Sequence, residues 1–339
     1  MNQPGYSIRL AGTDTCYTVP PGDNLLRAGL RAGIGMPYEC NAGGCGSCKF
    51  EVVSGEVEDR WPDAPGISAK DRAKGRHLAC QCRPLSNCEI KIRVSESFVP
   101  VVRPESFEAE YVGSQHVTDD IREFRFRGKQ PARFLPGQYA LLELPGVGQV
   151  RAYSMSNQPN EAGDWNVMVR RVPNGKVSNL LFDALQVGQF VQIDGPYGLA
   201  NLRPEAPRDV VCIAGGSGLA PMLSVANAAA ACAELGGRSI SLFYGGRGPA
   251  DIPQFGDWLS QPHRVQCKAA VSVAELADQG GWTGERGFVH ELLVRSLGGD
   301  FATREYYLAG PPPMIETVVR ALMVDHQVHA TQIHYDRFF

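Results

Sequence analysis

Glu39-Cys40-Asn41-Ala42-Gly43-Gly44-Cys45-Gly46-Ser47-Cys48 is the stretch on which the reading of this chain turns. Its three cysteines stand in C-x4-C-x2-C spacing, and Cys80 follows with 31 residues between it and Cys48. The pattern suits a 2Fe–2S cluster, whose irons take tetrahedral thiolate ligands from a loop that wraps them closely. Gly43, Gly44 and Gly46 lack a Cβ and can take positive φ, which turns backbone N–H groups toward the cluster sulfurs. A zinc site would show two tight cysteine pairs, or one pair followed by histidines. A disulfide framework belongs to short secreted chains. Ala79-Cys80-Gln81-Cys82 offers two candidates for the fourth ligand, and Cys88 is a third. Cys16, Cys212, Cys232 and Cys267 read as small apolar side chains.

At 339 residues the chain should form two or three domains, and 43% hydrophobic residues suffice for sizeable cores. A net charge of −3 argues against a polyanion-binding protein, so no nucleic-acid partner is expected. Residues 1–97 hold 12 Lys/Arg against 11 Asp/Glu, so docking to a redox partner would be steered by local patches. No apolar run reaches 18 residues, and no membrane partner is expected. Ten cysteines without a signal peptide point to a reducing cytoplasm.

The rhythm of the chain changes twice, which predicts a multidomain α+β and α/β protein. Residues 1–97 open with short strands at Tyr6–Leu10 and Cys16–Val19. Asp23 or Asn24 then caps a helix bearing Leu25, Leu26 and Leu30, which Gly33 stops. Lys49–Val53 and Glu89–Val94 add strands. Residues 98–106, with Pro100 and Pro104, read as a linker. Residues 107–203 show closely spaced strands with turn signals, as in an antiparallel barrel. Residues 204–339 follow a βα rhythm, with a buried strand at Asp209–Ala214 and a helix reaching about Glu234, which implies a doubly wound parallel sheet.

The first module resembles a β-grasp plant-type ferredoxin, and that likeness favours Cys80 as the fourth ligand beside Cys40, Cys45 and Cys48. Arg151-Ala152-Tyr153-Ser154-Met155-Ser156 resembles the R-x-Y-S-x-x signature of the ferredoxin–NADP reductase superfamily. The chemistry is apt: an arginine fork suits a pyrophosphate, and a tyrosine face suits a flat ring. The resemblance implies an FAD barrel, with Arg151 on the pyrophosphate, Tyr153 stacked on the flavin and Ser154 near its N5 edge. Met155 and Ser156 complete the signature. Gly175-Lys176-Val177-Ser178 matches the second phosphate element, G-x-x-S, and Gly195-Pro196-Tyr197-Gly198 the closing G-P-x-G turn.

Gly216-Ser217-Gly218-Leu219-Ala220-Pro221 follows a strand and opens a helix, in the G-x-G-x-x-P form of the same superfamily. Glycines let the backbone approach a phosphate, and Pro221 in the first turn loses no hydrogen bond. Ala309-Gly310-Pro311-Pro312-Pro313-Met314 resembles the C-G-P-x-x-M turn near the nicotinamide, with Ala309 replacing the cysteine, so positioning would fall to Gly310 and Pro311. Arg247 would meet the adenine ribose. No second basic residue stands near it in sequence to complete a 2′-phosphate clamp, which favours NADH over NADPH. The tail His334-Tyr335-Asp336-Arg337-Phe338-Phe339 carries three aromatics. By resemblance Asp336 and Phe338 cover the flavin; packing as a final strand is the plainer alternative.

Ferredoxin, FAD barrel and NAD domain in this order resemble the reductase component of bacterial multicomponent oxygenases, with closest likeness to the toluene and phenol di-iron monooxygenase reductases. That implies a monomeric NADH-dependent enzyme that passes hydride to FAD and single electrons through the 2Fe–2S cluster to a Rieske-type ferredoxin or the hydroxylase component. Reductases of Rieske dioxygenases or deoxysugar pathways share the module order. A flavin and iron–sulfur redox sensor would need an effector domain, for which no residues remain.

Overall fold

The computed structural model describes residues 5–146, 148 and 150–338. They form two compact units, one of residues 1–106 with 194–198 and one of 107–193 with 199–339.

In the first unit, β1 (Tyr6–Leu10) and β2 (Cys16–Val19) make a hairpin whose inward residues Ile8, Leu10, Tyr17 and Val19 are buried. Helix α1 (Leu25–Arg31) starts where Asn24 accepts the Arg27 N–H, and it buries Leu25, Leu26 and Leu30. Strands β3 (Lys49–Ser54) and β4 (Val57–Asp59) precede α2 (Ala69–Ala73), which is closed by a Ser68/Asp71 capping box. Then come β5 (Arg76–Leu78), β6 (Cys82–Pro84) and β7 (Cys88–Lys91). The main sheet runs β2-β1-β7-β3-β5, with β1 parallel to β7, and β4 pairs with β6 in a separate ribbon. This is the expected β-grasp arrangement.

The second unit begins with the long strand β8 (Glu105–His116), which starts within the stretch read as linker. Strands β9 (Ile121–Gly128), β10 (Tyr139–Glu143), β11 (Val150–Ser154) and β12 (Asp164–Arg170) follow, then α3 (Lys176–Asp183) and β13 (Phe190–Tyr197). The order β11-β10-β13-β8-β9-β12 is closed into a barrel by an antiparallel bridge between Met155 and Val167. Phe124, Phe126, Leu142, Met155, Val167 and Ile193 fill its interior.

The rest of this unit is a parallel sheet. Its elements are β14 (Asp209–Gly215), α4 (Leu219–Ala231), β15 (Ile240–Gly246), β16 (Val265–Val271), α5 (Ala274–Gln279), β17 (Glu285–Arg286), α6 (Val289–Leu297), β18 (Arg304–Gly310), α7 (Pro312–Arg320) and β19 (Ile333–Arg337). The order is β17-β16-β15-β14-β18-β19, every neighbour parallel. In β14, Val210, Cys212 and Ala214 face the core under α4, while Val211 and Ile213 face the core under α6 and α7. A strand covered on both faces must be apolar throughout, which explains the unbroken run. Helix α4 ends at Ala231, short of the expected Glu234, and a 3-10 turn takes over. Strand order reverses beside β14, where open α/β sheets bind ligands beyond the carboxyl ends of the strands.

Candidate functional site

The cysteine loop is built on two anchors. Asn24, besides capping α1, donates from Nδ2 to the Cys80 carbonyl at 3.0 Å, and Leu26 N–H donates to Ala79. Ala79 N–H donates to the Cys48 carbonyl at 2.9 Å, so the loop and the distant fourth cysteine share one backbone frame. Cys40 stands near Cys45 and Cys48 near Cys80, each pair close enough for one thiol to shift the titration of the other. Cys45 is held down to about 5, first by the Cys40 hydrogen bond and then by Ser47 against the effect of burial. Cys80 is lowered for the same kind of reason, with Cys48 as partner.

Backbone N–H groups of Ala42 and Cys45 point at Cys40 Sγ (3.4 and 3.3 Å), and Ser47 N–H points at Cys45 Sγ (3.5 Å). The turns that aim them place Gly43 and Gly46 at φ of +84° and +76°. Buried Asn41 leaves both side-chain amide atoms without a partner. Paired thiols, inward N–H groups and this orphaned amide fit a 2Fe–2S cluster. Cys88 is turned elsewhere, its Sγ donating to the Glu56 and Ser86 carbonyls. Cys82 lies with Asp59 and His77. Cys212 is buried as expected, but Cys16 is exposed because its side chain falls on the outward face of β2.

On the barrel, Arg151 and Tyr153 share one face of β11 and Ser154 lies buried on the other. Tyr153 packs partly against the barrel core, and Ser154 Oγ donates to Asp336 Oδ2 at 3.3 Å. Met155 is core, and Ser156 Oγ is spent on Glu123 (2.6 Å), so these two residues shape the strand's exit. At α3, Gly175 provides no side-chain cap, leaving first-turn N–H groups of Lys176 and Val177 open to an anion. Ser178 Oγ accepts the Val172 N–H at 3.1 Å and thus closes the turn. A guanidinium, a partly covered aromatic face and an uncapped helix start fit the pyrophosphate and ring of FAD.

The third site is a cavity of about 560 Å³ beyond β14, β15 and β18. Gly216, Arg247 and Pro311 line it. Ser217, Gly218, Pro221 and Gly310 do not, and belong to the chain segments that carry Gly216 and Pro311. A Cβ on Gly218 would sit 2.1 Å from the Ala309 carbonyl oxygen, so the two turns interlock only because this residue is glycine. Tyr244 OH donates to the Gly216 carbonyl (3.3 Å), fixing the turn that opens α4. An uncapped 13-residue helix start above a glycine floor fits a dinucleotide phosphate.

Against the expectation from sequence, a second basic residue does stand near Arg247, but aspartates already pair with both guanidiniums. Arg170, at the end of β12, lines the same cavity. Its Nε donates to Asp120 at 2.6 Å and its NH2 to Asp251 at 3.4 Å, while Arg247 Nε donates to Asp251 at 3.3 Å. Two arginines and two aspartates form one network. Burial alone would raise the Asp251 carboxyl, but the Arg247 side chain and the Arg247 and Gly248 N–H groups hold it below the ordinary range. Phe288, His290, Ser272 and Thr317 also line the cavity and went unread. The Arg170-Arg171 pair closing a strand was the one available signal.

The tail forms β19, in register Ala309 with Asp336 and Gly310 with Arg337. Phe338 N–H donates to the Gly310 carbonyl (3.0 Å), and its ring packs partly buried against the core under α4. Phe339 lies outside the described residues.

Comparison with known proteins gives the same three parts. Residues 8–85 match the 2Fe-2S iron-sulfur cluster binding domain family, 109–201 the oxidoreductase FAD-binding domain family and 212–320 the oxidoreductase NAD-binding domain family. A ferredoxin–NAD(P)+ reductase of Metapseudomonas resinovorans is 41% identical over 98% of this chain and 100% of its own. The xylene/toluene monooxygenase electron transfer component of Pseudomonas putida is 31% identical over 99% and 94%. Among solved structures, the ferredoxin reductase in carbazole 1,9a-dioxygenase superposes with TM-score 0.91 at 38% identity, covering 98% of each chain.

Proposed function

The chain belongs to the ferredoxin–NAD(P)+ reductases of oxygenase systems, and on that premise we propose that it is the NADH-dependent electron-transfer component of an aromatic-hydrocarbon monooxygenase. When bound, the three groups would supply hydride donation, its division into single electrons, and their onward delivery. The rest is the work of residues. Gly216, Ser217 and Gly218 with the start of α4 seat the dinucleotide phosphate. Arg151 and the Gly175–Ser178 turn hold the FAD pyrophosphate. Tyr153 would cover the flavin ring, and Ser154, oriented by Asp336, would serve its N5 edge. Cys40, Cys45, Cys48 and Cys80 hold the cluster. The modules are residues 1–97, 107–203 and 204–339, with 98–106 as linker.

One observation carries this reading. Asp336, in register with Ala309 beside the Gly310 turn, reaches Ser154 on the flavin strand. A single strand thereby serves both the hydride donor's turn and the acceptor's edge.

The acceptor is a separate protein, a Rieske-type ferredoxin or the hydroxylase itself, and the chain works as a monomer in the cytoplasm. Among the described residues no helix is long and apolar enough to cross a membrane. A dioxygenase system is the second reading, favoured by 38% identity to the ferredoxin reductase in carbazole 1,9a-dioxygenase against 31% to the xylene/toluene component. Anaerobic titration of the purified protein tests the core of the proposal. Flavin and cluster bands should bleach together, at about three electrons per chain, and faster with NADH than with NADPH. Flavin bands alone, with iron absent after reconstitution, would overturn it. Substrate turnover reconstituted with a di-iron hydroxylase, set against turnover reconstituted with a Rieske dioxygenase, each supplied with its own ferredoxin, separates the two readings.

A further inference from the structure

Beside the cysteine loop lies a second group of metal-binding side chains that electron transfer does not use. We propose that Asp59, His77 and Cys82 bind one divalent transition-metal ion of the zinc class, separate from Cys40, Cys45, Cys48 and Cys80. Asp59 and Cys82 are directly opposed partners in the β4–β6 ribbon, and His77 comes from β5. One donor atom from each lies within 4.8 Å of the other two. His77 Nδ1 is 3.0 Å from Asp59 Oδ2, and the other Asp59 oxygen accepts the Trp61 N–H at 3.1 Å, which fixes the carboxylate plane. The His77 ring leans on Phe50, its partner across β3 and β5.

The donor set chooses the ion. Sulfur, imidazole nitrogen and carboxylate oxygen suit zinc and its neighbours, whereas calcium and magnesium require all-oxygen shells. A thiolate and a carboxylate neutralise a dication, so a neutral imidazole completes a site without net charge. Cys82 is fully buried, while His77 and Asp59 are half-exposed, so three protein ligands sit at the base and water can take the fourth position. Cys82 is two residues beyond Cys80. Binding exchanges the Cys82 thiol proton for a dication, so the group becomes one unit more positive than without metal, which stabilises the extra negative charge of a reduced cluster and would shift its midpoint potential upward.

The test uses the full chain with its iron–sulfur cluster in place. Equilibrium dialysis against zinc, with iron and zinc counted together, should give one zinc per chain without loss of iron. Zinc-edge absorption should show one sulfur at about 2.3 Å and nitrogen or oxygen neighbours at about 2.0–2.1 Å. His77→Gln and Asp59→Asn, which keep size and leave the buried thiol untouched, should each weaken zinc binding at least tenfold and abolish the zinc-dependent rise in potential. A four-sulfur shell, zinc uptake that matches iron loss, or uptake unchanged in both variants would overturn the proposal.

Discussion

The cysteine loop and the dinucleotide cavity hold their groups by opposite means. The loop uses side chains: four thiols, three of them within Cys40–Cys48, framed by the Asn24–Cys80 and Ala79–Cys48 hydrogen bonds. The cavity combines glycine backbone at Gly215, Gly216, Gly245 and Gly246 with side chains scattered from Arg170 to Thr317. A ligand set made of side chains fixes residue identity and spacing. A cradle made of backbone fixes only where a side chain must be missing. One region should therefore fail abruptly on substitution and the other by degrees.

The largest effect is expected at the loop. Cys45→Ser should eliminate the cluster and lower transfer to a one-electron protein acceptor more than 100-fold, while NADH oxidation by a dye that takes electrons from flavin persists. Cys80→Ser should do the same and Cys82→Ser should not; iron content and visible absorption of the three variants decide it. Next comes Gly218→Val. Its side chain has no room against the Ala309 carbonyl, and overpacking of this kind costs about 1–3 kcal/mol. A rise in KM for NADH with the flavin still bound is the expected signature.

Asp336→Asn keeps size and removes charge. The amide oxygen can still accept from Ser154, so a charge-assisted hydrogen bond becomes a neutral one, a loss of about 1–1.5 kcal/mol that should slow flavin reduction ~5- to 10-fold at saturating NADH. Stopped-flow traces would show this, and an unchanged rate would mean that Asp336 serves packing alone.

Arg247→Ala should give the smallest change, within a few-fold in the NADH/NADPH preference, because an exposed ion pair contributes at most about 1 kcal/mol. The network has a pH signature of its own. The Asp251 carboxyl is depressed on folding, so its contribution is present above the unfolded value of about 3.9 and is lost as pH falls through the lower folded value. The melting-temperature gap between wild type and Asp251→Asn should be full at pH 7 and shrink toward pH 3.

The same contrast decides what could be read from residues alone. The C-x4-C-x2-C spacing carried the cluster, while the resemblance to plant-type ferredoxins carried its β-grasp frame and the choice of Cys80. The apolar run Val210–Ala214 carried the parallel sheet, since only a doubly covered strand needs it. Gly216 and Gly218 marked the turn but not the reason for it, which is the Ala309 carbonyl arriving from β18. Arg170 stayed hidden because its relation to Arg247 runs through Asp120 and Asp251, across a separation in sequence that no local pattern records. Asp59, His77 and Cys82 belong to three short strands and were invisible for the same reason.

The bond between Ser154 and Asp336 joins residues 182 positions apart. Its two ends sit on different sheets, so it can close only after the barrel and the parallel sheet have each acquired their order. Loop-closure entropy places such a contact late on the folding path. A contact absent from the transition state leaves the folding rate alone and acts on the rate of unfolding. The residue pair assigned here to the flavin edge therefore also works as a latch, one that sets how long the assembled unit stays folded rather than how fast it forms.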